Sequence, residues 1–275
     1  MPTDSTALLQ PALVVLLTAL TFAALAWTGR LRQLREEFPS AWRYGLGLLL
    51  LAGVLGVTVF GPTVSPGEAA EIDPATLWFP SLFTAQLLLA IFLQSWWMLG
   101  WPMPLRRFLR LEGATTDDVS FGIAVGCAGW VLALLASAMV TALLYLAGWH
   151  PGLTATGTEA LDVPPLMLWL ADLPAARKLI VVAVAMTVEE AFYRGFLQPR
   201  IGWIPSSLLF ALSHAGYGMP NLLASVLVIS LAMGWAFRRS GNLLPCIVAH
   251  GLFDGVQLFI IMPIAVEQIR QLAPP

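Results

Sequence analysis

Long apolar segments recur along this chain and restrict its fold more than any other feature of the sequence. Of its 275 residues, 58% are hydrophobic and only 11% are charged, whereas soluble domains carry about 25% charged residues. The apolar residues form blocks of about 20, the length that one helix needs to cross a bilayer. We therefore predict an all-α, polytopic membrane protein, because a helix satisfies its own backbone hydrogen bonds in lipid.

Eight apolar segments are predicted to span the membrane and to pack as one helical bundle. Their approximate limits are 7–27, 44–60, 79–100, 121–148, 175–198, 204–217, 220–237 and 243–263. The sixth is short and ends in a Gly/Pro cluster, so we expect it to be tilted or to cross only partly. We divide the chain into N-terminal helices and loops (1–174), a C-terminal helical core (175–263) and a short tail (264–275).

Basic residues are concentrated in alternate connections between the predicted spans. Arginines lie between spans one and two and between three and four, whereas the connections 61–78 and 149–174 contain acidic residues and no Lys or Arg. Because cytoplasmic loops carry the excess of Lys and Arg, this pattern predicts that the N-terminus is outside the cell. Arg177, Lys178 and Arg270 are exceptions to it.

The aromatic and basic composition adds detail to this topology. Trp96, Trp97 and Trp101 fall near the predicted inner boundary, which is typical of an interfacial aromatic belt. Only one of the 14 basic residues is a lysine, which favours a GC-rich bacterial genome and hence a bacterial inner membrane. The net charge of −2 gives no footprint for a nucleic acid.

Two adjacent glutamates lie inside the fifth apolar segment. Glu189 and Glu190 each cost roughly 2.5–3.5 kcal/mol to insert, so such residues face the bundle interior and have partners. Glu190 and Arg194 are spaced i,i+4 and can pair along one helix face, while Glu189 is rotated by about 100° from Glu190. One carboxylate can therefore be held by the arginine while the other points into a cavity. The alternative is that both lie at the interface and merely end the helix.

Two histidines occur on other predicted helices at a similar depth. His214 lies in the sixth segment, and His250 lies in the eighth with Asp254 four residues later on the same face. At 1.5 Å per residue, Glu189, His214 and His250 lie about 14, 12 and 10 Å from the predicted inner boundary. A lone membrane histidine is often only a satisfied polar residue, but two beside buried carboxylates indicate a shared polar layer.

Such a layer has the parts needed to add water to an amide. A glutamate in an apolar pocket can act as a general base, one histidine can hold the water, and a second can donate to a developing oxyanion. The sequence contains no Gly-x-Ser-x-Gly elbow, no His-Glu-x-x-His helix and no phosphate-binding glycine loop. The glycines from Gly122 to Gly129 are better explained by close helix packing.

Together, Glu189-Glu190-x-x-x-Arg194, Phe210-x-x-x-His214 and His250-x-x-x-Asp254 resemble the motifs of the CPBP (CAAX-protease and bacteriocin-processing, or Abi) intramembrane proteases. The resemblance covers residues 175–263 and implies a helical fold with an intramembrane catalytic cavity. It also implies that Glu189 is the general base and that His214 shares the water. In the same way it assigns Glu190 and Arg194 to bracing the site, and His250 and Asp254 to the oxyanion side. An ionised Asp254 cannot donate a hydrogen bond and is expected to orient His250 as an acceptor.

The resemblance further implies a substrate that is a membrane-anchored protein or peptide, cleaved in the lipid bilayer. No cofactor is required if a glutamate is the general base, but zinc is an alternative, with Glu189, His214 and His250 as its expected ligands. Two other functions stay open from the residues themselves. Buried Glu, His and Arg also mark proton-coupled transporters, and a silent member of the family could act as a scaffold or immunity protein.

Overall fold

The structure is a computed structural model that describes residues 5–65, 78–149 and 165–272. Within these ranges the chain forms helices and short connections, and no described residue lies in a strand, so the all-α prediction is confirmed. The assignment of the two outer loops depends on their acidic residues. Most of these acidic residues lie outside the described ranges, namely Glu68, Glu71, Asp73, Glu159 and Asp162.

Fourteen α-helices follow one another in the described ranges. They are α1 Ser5–Trp27, α2 Arg30–Arg35, α3 Ala41–Leu55, α4 Gly61–Val64, α5 Thr84–Leu99, α6 Leu105–Phe108, α7 Thr116–Leu146, α8 Pro165–Asp172, α9 Ala175–Glu190, α10 Gln198–Ile201, α11 Trp203–Leu212, α12 Pro220–Ser240, α13 Leu244–Val256 and α14 Met262–Leu272. Three π-helical segments, Gly56–Phe60, Ala191–Leu197 and Gln257–Ile261, join consecutive α-helices without a break, and 3-10 turns occur at Phe79–Phe83 and Ala215–Tyr217.

Six of the eight predicted spans are helices that are long and apolar enough to cross a membrane. They run over Leu9–Trp27, Ala41–Val64, Phe79–Leu99, Thr116–Leu146, Pro220–Ser240 and Leu244–Gln268. The fifth predicted span is helical from 175 to 201, but its ionisable residues remove it from this set. The sixth, α11, has ten residues and a length of about 15 Å, half of the roughly 30 Å hydrocarbon core. The α11 helix is therefore too short to span that core by itself.

Glycines allow α7 to approach its neighbours closely. A Cβ atom added at Gly122 would lie 2.7 Å from the backbone oxygen of Pro245, and one at Gly126 would lie 2.9 Å from a methyl carbon of Leu252. Both of those neighbours lie on α13. These close approaches confirm the prediction that the Gly122–Gly129 stretch serves helix packing. Between helices in lipid there is no hydrophobic driving force, so close contact of small residues contributes to their association.

An aromatic cluster joins α5 to the π-helical segment that follows α9. The ring centroids of Phe92 and Phe196 are 5.0 Å apart, and those of Trp96 and Phe196 are 4.8 Å apart, both in edge-to-face geometry. Trp96 is only 1% exposed, so its assignment to a lipid-facing belt was wrong. Its indole Nε1 donates to Glu37 at 3.0 Å, which draws the ring inside the bundle. The cluster fixes the N-terminal half of the chain against the helix that carries the glutamates.

Candidate active site

Glu190 is the last residue of α9 and is completely buried. Its Oε2 lies 3.2 Å from Arg194 Nε, so the i,i+4 pair forms along one face. Arg194, itself 1% exposed, also donates to Ser230 Oγ at 2.9 Å and lies over the Phe210 ring at 4.4 Å. One guanidinium thus connects three helices, α9, α11 and α12. The π-helical segment that begins at Ala191 is of a kind often found at functional sites.

His250 lies between two carboxylates. Its Nδ1 is 2.9 Å from Glu190 Oε1, and its Nε2 is 3.3 Å from Asp254 Oδ2. Both ring nitrogens can donate at once only when the ring is an imidazolium, so this geometry favours the charged form. The His250 side chain is 6% exposed, whereas that of Asp254 is 26% exposed. The Asp254 end of the pair is therefore the end that faces open space.

Glu189 points away from Glu190 and has a different partner. The Gln86 side-chain amide on α5 donates from Nε2 to Glu189 Oε1 at 2.7 Å. The side chain of Glu189 is partly exposed, in contrast to that of Glu190. The rotation of about 100° between neighbouring helix residues accounts for this separation. The two adjacent carboxylates thus occupy different environments, one in a buried ion pair and one beside a neutral amide.

His214 follows α11 and has a fixed ring orientation. Its Nδ1 lies 2.9 Å from the Phe210 carbonyl oxygen; since a carbonyl can only accept, Nδ1 carries the proton. Nε2 is then the acceptor of the neutral ring. The Phe210 ring separates the two histidines, with centroid distances of 4.9 Å to His214 and 5.7 Å to His250. The three motif-bearing segments therefore meet around one phenylalanine, although no direct hydrogen bond among the described residues joins Glu189 to His214.

Three further polar residues belong to this region and were missed from the sequence. Gln86 lies in an N-terminal helix that matched no motif, and Ser230 is 0% exposed in α12. Tyr217 stacks its ring beside His214 at 6.4 Å and lies within electrostatic range of Glu189 and Asp254. An amide in an apolar segment was a signal for Gln86, because polar groups in membrane helices are rarely without a role, although the same helix also carries Gln94.

The site does not assemble a zinc centre of the expected kind. Within residues 5–65, 78–149 and 165–272, no three His, Cys, Asp or Glu side chains approach closely enough to hold a metal ion. Both ring nitrogens of His250 already face carboxylates. A structural or catalytic zinc needs at least three protein ligands, so the proposed set of Glu189, His214 and His250 does not fit this arrangement.

Comparison with known proteins identifies the segment that carries the site. Residues 171–256 match the family model "Type II CAAX prenyl endopeptidase Rce1-like", which confirms the resemblance to CAAX proteases over this part of the chain. A Bacillus subtilis (strain 168) protein named "Uncharacterized protein YpbD" is 39% identical over 69 residues, which is 25% of this chain and 36% of that protein. The match thus spans about a third of the relative's length. No solved structure matches the chain.

Proposed function

Because residues 171–256 carry an Rce1-like CAAX-endopeptidase domain, we propose that this chain is an intramembrane endopeptidase that hydrolyses a membrane-associated protein or peptide with a glutamate-activated water. The observation that supports it most is the unequal pair of glutamates. Glu190 is locked by Arg194 and His250, which leaves Glu189 as the partly exposed carboxylate of the pair.

Glu189 is the general base in this proposal, and His214 positions the water. The fixed Nδ1–H of His214 leaves Nε2 free to accept one hydrogen of a water whose other hydrogen points to Glu189. The side-chain amide of Gln86 donates to one oxygen of Glu189 and so fixes the orientation of that carboxylate. The other carboxylate oxygen is then available to take the proton.

The reaction proceeds by addition and elimination. The water oxygen bonds to the carbonyl carbon as its proton moves to Glu189, and the carbonyl oxygen becomes an oxyanion. The His250 Nε2–H is the donor for that oxyanion, because its contact with Asp254 is the longer one, 3.3 Å against 2.9 Å, and the more exposed. Glu189 then gives its proton to the leaving amine as the C–N bond breaks. Each step uses groups of this chain and no metal ion.

Processing of membrane proteins in living cells tests this function. We expect Glu189→Gln and His214→Ala each to abolish cleavage, so that an uncleaved membrane protein or peptide accumulates in both strains. Glu112→Gln is a matched control, since it removes an exposed carboxylate far along the chain from the motifs. Quantitative proteomics of membrane fractions, with expression levels checked by immunoblot, gives the readout.

Several outcomes would contradict the proposal. Unchanged processing in both variants would exclude the mechanism, and a change in proton flux without any altered protein would favour a transporter. If purified enzyme lost activity to a chelator and recovered it with zinc, the metal-free version would be wrong.

Labelling of single cysteines in the connections 61–78 and 101–120 tests the predicted orientation, in which only the second connection is cytoplasmic.

A further inference from the structure

A cavity of about 450 Å³ lies outside the candidate active site. It is bounded by the connection between α2 and α3, the end of α5, the α6 region and the start of α10. The residues that matter for its chemistry are Glu37, Trp101, Met103, Arg107, Arg110 and Arg200. A volume of this size is typical of a pocket for a small ligand.

Arg200 is already paired within the cavity wall. Its Nε and Nη2 bind the two oxygens of Glu37 at 2.9 and 2.5 Å, a bidentate pair. The Trp96 indole adds a third donor to the same carboxylate. Glu37 is therefore held by three donors from its own neighbours, and the charge of Arg200 balances its own.

Two of the three arginines of the cavity, Arg107 and Arg110, have no side-chain partner in the part of the chain that the structure describes. Among the described residues, neither side chain makes a hydrogen bond or an ion pair, and both are exposed. Arg110 also lies close enough to Arg200 for the two like charges to interact, and its φ of 56° holds it in the left-handed region, which non-glycine residues seldom adopt. With three arginines against Glu36 and Glu37, the cavity has a net positive charge and suits an anion.

The cavity opens at the level where membrane spans end. The span Phe79–Leu99 finishes beside it, while Ala41–Val64 and Thr116–Leu146 begin just after its lining residues. Apolar side chains are exposed at its edge, among them Trp101 at 53% and Met103 at 39%. Tryptophan is typical of the membrane–water interface, and basic pockets at this level recognise anionic lipid headgroups.

We propose that this cavity binds one anionic phospholipid, with Arg107 and Arg110 on the phosphate and the acyl chains running along the Trp101 edge. Guanidinium groups match the geometry of phosphate oxygens and are weakly hydrated. An anionic headgroup is favoured over a zwitterionic one because it brings no ammonium group that the arginines would repel. The bound lipid joins segments of the N-terminal half to the helix that continues from the glutamates. It is distinct from the substrate and does not take part in hydrolysis.

Native mass spectrometry of the full-length protein with dioleoylphosphatidylglycerol tests this site. We expect one high-affinity lipid per chain, bound more tightly than dioleoylphosphatidylcholine, and a loss of roughly 30-fold in affinity in the Arg107→Gln/Arg110→Gln variant, about fivefold per charge. The Arg238→Gln/Arg239→Gln variant removes the same charge from an exposed helix end elsewhere and should bind as wild type.

The control experiments separate this lipid from other anions. Equal losses in both double variants would mean general attraction to the surface and would overturn the proposal, as would equal binding of the two lipids. Competition by inorganic phosphate at concentrations similar to those of the lipid would assign the cavity to a soluble anion instead. Because the readout is binding, a negative result leaves the proposed proteolysis unaffected, and circular dichroism confirms that each variant is folded.

Discussion

Replacing each of the two neighbouring glutamates by alanine should separate a structural carboxylate from a catalytic one. Glu190→Ala removes the partner of both Arg194 and His250, and Arg194 is then left as a charge that is 1% exposed. Breaking a buried pair in this way costs about 3–5 kcal/mol. Unfolding midpoints fall by about 2–4 °C per kcal/mol in chains of roughly this size, so we expect a Tm lower by roughly 6–20 °C.

Glu189→Ala is the matched control, one residue away on the same helix. Glu189 is partly exposed and, among the described residues, makes one hydrogen bond, from Gln86, so its loss should cost about 1–2 kcal/mol, less than the loss of Glu190. Thermal unfolding of the purified protein in nanodiscs, followed by circular dichroism, gives both Tm values. Equal shifts in the two variants, or a shift of only a few degrees for Glu190→Ala, would refute the division of roles.

Three further predictions concern the site and the packing. Once a substrate is identified, Gln86→Leu should lower kcat by roughly 10–100-fold with little change in KM, because it removes a hydrogen bond to the charged Glu189. The control is Gln94→Leu, on the exposed face of the same helix, whose kcat and KM should be near those of the wild type. Asp254→Asn keeps an acceptor for the histidine and should retain cleavage that Asp254→Leu loses, as measured by client processing. Gly122→Ala should destabilise the protein by about 1–3 kcal/mol, since the added methyl group would collide with the neighbouring helix. Gly53→Ala is the control: its methyl group would lie in open space, so it should be neutral or slightly stabilising in the same thermal-unfolding assay.

Local spacing in the sequence was sufficient to predict several parts of the site. The pairs Glu190–Arg194 and His250–Asp254 both follow from i,i+4 geometry on a helix. The rotation between adjacent residues likewise predicted that Glu189 would point elsewhere. These relations depend on a single helix, and therefore a pattern of residues is enough to derive them.

Contacts between distant segments could not be derived in the same way. Nothing in the sequence indicated that Gln86 would reach Glu189 across 103 positions. Nor did it indicate that His250 would make its shorter contact, 2.9 Å, with Glu190 and its longer contact, 3.3 Å, with Asp254. The burial of Trp96 was likewise unexpected, because proximity to a predicted boundary does not tell which side of a helix faces lipid.

The sequence by itself determined the class of the protein: continuous apolar stretches of bilayer length predict membrane helices, because a helix satisfies its backbone hydrogen bonds within its own segment. It also determined which polar residues are costly enough to need partners. Only the tertiary structure decided which partners come from other helices, since the rotation and approach of each helix depend on packing such as that of Gly122 against α13. That packing left Glu190 completely buried against His250 and Glu189 partly exposed beside Gln86, and these partners lie 60 and 103 positions away in the sequence.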